Sequence, residues 1–144
     1  MISEVAVESV RREHEGIRAL VRQLGAVEHD LAAGGHNGIE PVLAAIIDNM
    51  RRHLYREMRH EESQIYPLLA PVLGTEVPVR ALVAEHRATR ELVEGLHDLV
   101  RHPPRAWKWE DRIPAMRSKL NRLTRLLELH LRREEAAFSA LLAA

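Results

Sequence analysis

Apolar residues recur every three or four positions through four stretches of this chain, and no stretch alternates with period two. The first stretch aligns Val10, His14, Ile17, Val21, Leu24 and Leu31. The second aligns Leu43, Ile46, Met50, His53, Glu57, Glu61 and Leu68. The third aligns Val79, Leu82, His86, Thr89, Val93 and Val100; the fourth Met116, Leu120, Leu123, Leu127, His130, Glu134 and Leu141. This spacing predicts amphipathic helices. Gly34-Gly35-His36-Asn37-Gly38, the run from Pro71 to Pro78 with Gly74, and His102-Pro103-Pro104-Arg105 mark the breaks between them. Four segments of roughly 25–32 residues joined by short connections predict an all-α fold, an antiparallel up-down-up-down four-helix bundle. Residues 1–144 read as one domain, with no linker or low-complexity tract between segments. Pro114 falls in the first turns of the fourth helix, and Trp107 and Trp109 are expected to pack the bundle end.

The stripes are interrupted in a consistent way. Each carries a histidine, and two carry a glutamate one turn beyond it. On a wheel of about 100° per residue the second stripe centres on Glu57, with His53 and Glu61 roughly 40° to either side. His60 falls near the edge, and Glu62 faces outward. On the fourth helix Glu134 lies at the centre and Glu135 about 100° away. Depth agrees with angle. His14 lies about 22 residues before a turn at His36 and Glu57 about 21 after it, while Glu61 lies about 13 before Gly74 and His86 about 12 after it. His130 and Glu134 fall within a turn or two of the same level.

A single inward histidine is more often a hydrogen-bonded core residue, and a lone inward glutamate often sits at a wet helix end. Seven such groups at one depth need a different explanation, because each buried unpaired carboxylate costs on the order of several kcal/mol. Arg90, one turn after His86, can neutralise one of them. A bound cation accounts for the rest, since imidazole and carboxylate are its natural ligands. Three carboxylates and four imidazoles exceed one tetrahedral zinc site; they suit two ions of iron or manganese type with glutamates bridging.

Composition narrows the choices further. The absence of cysteine excludes disulfides, thiolate metal sites and iron–sulfur clusters. Lys plus Arg and Asp plus Glu each total 21, so no basic field points to nucleic acid, and Arg11-Arg12, Arg51-Arg52 and Arg132-Arg133 read as solvated faces. No apolar run approaches about 18 residues, and Met1-Ile2-Ser3-Glu4-Val5 lacks a signal-peptide pattern, so a cytoplasmic protein without a membrane partner is the expectation. Glu57-Met58-Arg59-His60 and Glu94-Gly95-Leu96-His97 match the Glu-x-x-His string of ferritin-like iron handling. Against that reading, Glu94 lies over about 100° from its stripe and His97 about 16 Å along the axis from His86. A metal-free helical interaction module is a third possibility. His29, His36, His97 and His102 are expected at the surface or in loops.

Four motifs in order carry a family resemblance: His14 within Glu13-His14-Glu15-Gly16-Ile17-Arg18-Ala19-Leu20, His53-x-x-x-Glu57, Ala84-Glu85-His86, and His130-x-x-x-Glu134. Together they resemble the hemerythrin-like, or HHE cation-binding, domain over essentially the whole chain. The resemblance implies a four-helix bundle holding two non-haem iron ions, carboxylate-bridged and oxo- or hydroxo-bridged, with manganese the second choice. It implies His14 and His53 on one ion, His86 and His130 on the other, and Glu57 and Glu134 bridging. The chain departs from the oxygen carriers of that family at Arg90, where they have a second histidine, and at Glu61, an extra inward carboxylate that can fill the vacated position. A second register is open. Counting back from Tyr66-Pro67 puts Glu61 at the bridge and Glu57 at the histidine position, with His53 behind the ligands. The expected metal set is therefore His14, His53, Glu57, Glu61, His86, His130 and Glu134.

Exchanging imidazole for carboxylate makes the ions harder and favours the ferric state. The expected function is binding of, or reaction with, O2, peroxide or nitric oxide in sensing or scavenging, in preference to O2 storage. Catalase-like turnover, with an inward glutamate relaying protons, is compatible with this set and is not demanded by it.

Overall fold

In a computed structural model describing residues 4–34 and 38–143, the chain forms a bundle of four helices, with no strand among the described residues. Helix α1 is Glu4–Ala32, α2 spans residues 39–73, α3 is Val77–Arg101 and α4 is Trp109–Ala143. Gly35, His36 and Asn37, the middle of the first expected turn, lie outside the described residues. Gly74 closes α2 at φ 73°, a left-handed conformation that a side chain resists, and its N–H bonds the Ala70 carbonyl at 2.9 Å. Pro78 then opens α3, where its missing N–H leaves no gap in the helix. Pro114 lies early in α4, as its position in the sequence predicts.

Helix α2 is unevenly wound. It is α-helical over Ile39–Asn49, π-helical over Met50–Leu54, α-helical over Tyr55–His60, π-helical over Glu61–Ile65, and α-helical again over Tyr66–Leu73. Pro67 accounts for the second wide turn: it lacks a donor, and in a regular helix its ring would strike the carbonyl four residues back. The distortion falls on Ile65, at φ −105° and ψ −53°. Nothing in the structure explains the first wide turn. Together the two keep one face inward for the whole length. Ile39, Leu43, Ile47, Met50, Leu54, Met58, Glu61, Ile65 and Leu69 are all buried, eight returns over thirty residues, about 3.75 per turn against the usual 3.6.

The expected stripe on α2 is corrected at four positions, the first of them ahead of both wide turns. Where Ile46, His53, Glu57 and Leu68 are expected inward, the structure buries Ile47, Leu54, Met58 and Leu69, each one residue further on. His53 is exposed, with its Nδ1 2.7 Å from the Arg56 guanidinium. Glu57 is half-buried.

The interior divides into two apolar bodies. The larger includes Ile17, Leu24, Leu43, Ile47, Leu54, Met58, Leu92, Leu96, Leu120, Leu123 and Leu127. The smaller contains Val10, Ile65, Tyr66, Leu69, Leu82, Ala137, Phe138 and Leu141. Between them in the chain, on all four helices, come the buried polar residues His14, Glu61, Glu85, His86, Thr89, His130 and Glu134. Trp109 packs against the larger body with Arg112 5.2 Å from its ring centre, whereas Trp107 is exposed.

Candidate metal centre

The helices bring their polar groups together at side-chain resolution. Helix α3 supplies His86 and α4 supplies His130, whose Nε2 atoms lie 3.1 Å apart. Glu134, one turn beyond His130, sets Oε1 2.5 Å from His130 Nε2. The wide turn of α2 delivers Glu61, whose Oε1 is 3.6 Å from His86 Nε2. From α1, His14 Nε2 faces Glu134 Oε2 at 3.8 Å, and its ring lies parallel to Phe138. Donor atoms of Glu61, His86, His130 and Glu134 all lie within 4.8 Å of one another, and all four residues are buried.

Two of the expected residues stand apart from this cluster. His53 and Glu57 instead line a cleft of about 260 Å³ together with Gly16, Leu20, Asn49 and Met50. Glu57 still feels the layer: burial raises its pKa, and the negative charge of Glu134 adds to the rise. The Glu-x-x-His strings do not converge either. Glu94 is bonded by Arg51 at 3.0 Å and Tyr55 at 2.7 Å, and His60 is exposed. Arg90 donates to Glu62 at 2.9 Å rather than pairing with Glu61.

Three residues enter the site unannounced. Tyr66 is buried, with its hydroxyl 3.0 Å from His86 Nε2 and 3.4 Å from His130 Nε2. It sits five residues after Glu61, a spacing that regular winding places on different faces and a π-turn draws together. Glu85 is buried and accepts from His130 Nδ1 at 2.9 Å; its spacing with Leu82, Thr89 and Leu92 was a readable signal for an inward face. Glu13 has an oxygen buried without a partner, and its pKa is raised to about 7, first by burial and then by the charges of Glu57 and Glu134.

The electrostatics are those of a crowded acid cluster. Burial, then the adjacent Glu134, push the Glu61 pKa well above the carboxylate range. Burial pushes Glu134 the same way, but Glu61, His130 and His14 around it more than offset this and hold it well below that range. Burial and the neighbouring His130 lower His86 to about 4, so this ring is neutral at physiological pH. Burial also acts to lower His130, yet Glu134 and Glu85 outweigh it and raise its pKa.

Whether these groups suit a cation is decided by the atoms left over. His14 Nε2 and Glu61 Oε2 are buried and meet no hydrogen-bond partner, and the buried Glu134 carboxylate faces the His130 and His14 nitrogens at 2.5 and 3.8 Å. Such atoms are costly in an interior unless something of opposite charge meets them, and imidazole nitrogen with carboxylate oxygen is the donor set of a borderline-hard transition metal. The residues fit a metal ion. Four helices that converge imidazoles and carboxylates on one buried layer define a cation-binding helical bundle.

Residues 5–142 match the family described as hemerythrin HHE cation binding domain, and the chain belongs to that family. Comparison with curated proteins and with solved structures produced no match. No helix among the described residues is long and apolar enough to cross a membrane.

Proposed function

We propose that this protein is a non-haem di-iron protein that binds or reacts with O2, peroxide or nitric oxide, as a sensor or scavenger. The observation that carries the reading is the convergence of Glu61, His86, His130 and Glu134 within 4.8 Å, in a member of a cation-binding family. His86 and His130 would hold one ion and His14 the other, with Glu61 and Glu134 shared, and the half-buried Glu57 would complete the second set only by turning inward from its cleft. Iron held there would supply one-electron redox chemistry toward a small ligand.

The chain's own residues supply the rest. The two apolar bodies keep bulk water from the layer, which strengthens every charge interaction within it. The Tyr66 hydroxyl, a donor at the edge of the histidine pair, can hydrogen-bond an oxygen or nitrogen arriving at that edge. The half-buried Glu13 and Glu57, at the edge of the layer, are carboxylates that can exchange protons with solvent.

The up-down-up-down order belongs to the same proposal and is supported by which residues pair. Arg18 meets Glu135 while Glu28 meets Arg117; Asp48 meets Arg101 while Glu62 meets Arg90; Glu85 meets His130 while Leu99 meets Arg112. A cytoplasmic setting and a small diatomic or peroxide ligand, without nucleic acid, complete the reading.

The test is metal analysis and an optical spectrum of aerobically purified full-length chain, followed by exposure to O2, peroxide and nitric oxide. About two irons per chain with ligand-dependent spectral change is the expected result. A folded chain carrying no transition metal, and taking up none on reconstitution, would remove the proposal in favour of a metal-free interaction module.

A further inference from the structure

The outer faces of the inward histidines follow a pattern of their own. His130 Nδ1 meets Glu85 Oε1 at 2.9 Å, and Arg133 bonds the other oxygen of Glu85 at 2.5 Å. His86 Nδ1 faces Glu62 Oε1 at 3.6 Å, and Arg90 bonds the other oxygen of Glu62 at 2.9 Å. His14 Nδ1 faces Glu135 Oε1 at 3.6 Å, and Arg18 bonds that same oxygen.

The sequence logic repeats as well. Each arginine lies one turn beyond its histidine on the same helix, in the pairs His14 and Arg18, His86 and Arg90, and His130 and Arg133. Each carboxylate comes from a different helix and is the immediate neighbour of an inward residue: Glu62 beside Glu61, Glu85 beside His86, Glu135 beside Glu134. One residue of each adjacent pair therefore faces the layer, while the other reaches the back of a histidine on the next helix. A helical wheel assigns Glu62 and Glu135 to solvent. Their side chains are in fact 25% and 43% exposed, turned towards imidazoles.

We infer that Glu85, Glu62 and Glu135, each held by its arginine, are positioning residues for the three inward histidines: Glu85 fixes His130 by a closed Nδ1 bond, while Glu62 and Glu135, at 3.6 Å and without a hydrogen bond, set a carboxylate behind His86 and His14, so that the Nε2 atoms are aimed into the layer. The physics is that of a donor with two ends. A carboxylate at Nδ1 keeps the proton there, which fixes the ring plane and leaves the opposite nitrogen's lone pair for a cation. The arginine bonds that carboxylate and limits its rotation. The three relays are graded. The Glu85 side chain is only 8% exposed and its bond is closed, whereas Glu62 and Glu135 stand further off and nearer to water. The order of importance is therefore Glu85, then Glu62, then Glu135.

This inference rests on the reading that the Nε2 atoms face a metal, and its test separates the two. In metal-free full-length chain, proton NMR should show a downfield, exchange-protected Nδ1–H resonance from His130. That resonance is lost in Glu85→Leu and retained in Glu85→Gln, whose amide oxygen still accepts. Chelator competition with ferrous ion should show affinity falling by about 10–100-fold in Glu85→Leu, less in Glu62→Leu and least in Glu135→Leu. If Glu85→Leu does not fold, Arg133→Leu, a change at a half-exposed side chain that releases the Glu85 carboxylate, should shift the same His130 resonance and lower ferrous affinity; no change in either overturns the positioning role. An unchanged Nδ1–H signal, or unchanged ferrous affinity in a wild type that binds iron, overturns the positioning role. Loss of the resonance in a chain whose wild type binds no iron leaves the positioning role standing and removes the metal reading instead.

Discussion

His86 and His130 point their Nε2 atoms at each other across 3.1 Å in the interior of the bundle, with the Tyr66 hydroxyl wedged against both. Two imidazole nitrogens cannot share such a gap favourably if both carry protons, and the low pKa of His86, set by burial and by His130, is the consequence. A cation between them converts this repulsion into ligation. His130→Ala, or His86→Ala, should therefore lower ferrous affinity by more than about 100-fold, beyond what loss of a supporting partner costs. Chelator competition and metal content of the purified variants measure this.

Glu61 is buried beside another carboxylate, and one of its oxygens meets no partner. In metal-free protein it is a burden. Glu61→Met should raise the stability of the metal-free chain by about 1–3 kcal/mol. The same substitution should erase most of the additional stability that metal gives the wild type. Urea unfolding with and without a chelator separates the two effects; a destabilised metal-free variant would contradict the account of Glu61.

The exposed His53 and the half-buried Glu57 give a sharp comparison. His53→Ala should leave metal content unchanged and stability within about 0.5 kcal/mol of wild type. Glu57→Ala should reduce metal content towards one ion per chain. Loss of iron on removal of His53 would restore the register in which that ring is a ligand.

Glu13 makes the metal-free chain sensitive to pH. Its folded pKa, about 7, lies above the ordinary 4.5 because of burial, Glu57 and Glu134. Below 4.5 both the folded and unfolded states are protonated and no difference arises. As pH rises from 4.5 to about 7 the unfolded chain ionises first, so stability falls, and the loss is complete above that window. Glu61 acts in the same direction and His86 in the opposite one, so the informative quantity is the difference between wild type and Glu13→Gln. That difference should grow through this window to about 1 kcal/mol in favour of the variant, after allowance for the partial exposure of the group. Chemical unfolding across a pH series on chelated protein measures it.

Three of the four helices were legible in the periodicity because they are regular. His14, His86, His130 and Glu134 lie where an undistorted wheel puts them. Helix α2 was not, and the reason is specific. Ile46 and Ile47, Leu68 and Leu69 are apolar pairs, so composition does not say which member is inside. The two π-turns then advance the buried face by one residue relative to regular winding. A regular wheel therefore turns His53 and Glu57 inward and leaves Tyr66 off the face that carries Glu61. Glu85 and Glu62 were obscured for another reason: each is adjacent to an inward residue, and a wheel that assigns one neighbour to the core tends to assign the other to water.

The uneven winding of α2 also bears on the spacing within this helix. Exchanging one side chain adjusts the chemistry of a single position. Removing one residue from either wide turn would leave about 29 residues for the same eight turns, about 3.6 each, so that turn could close into regular winding with the same face still inward. Each wide turn is one extra residue that the helix has absorbed, so a deletion there should be tolerated where the same deletion in a regular helix would turn the site residues away.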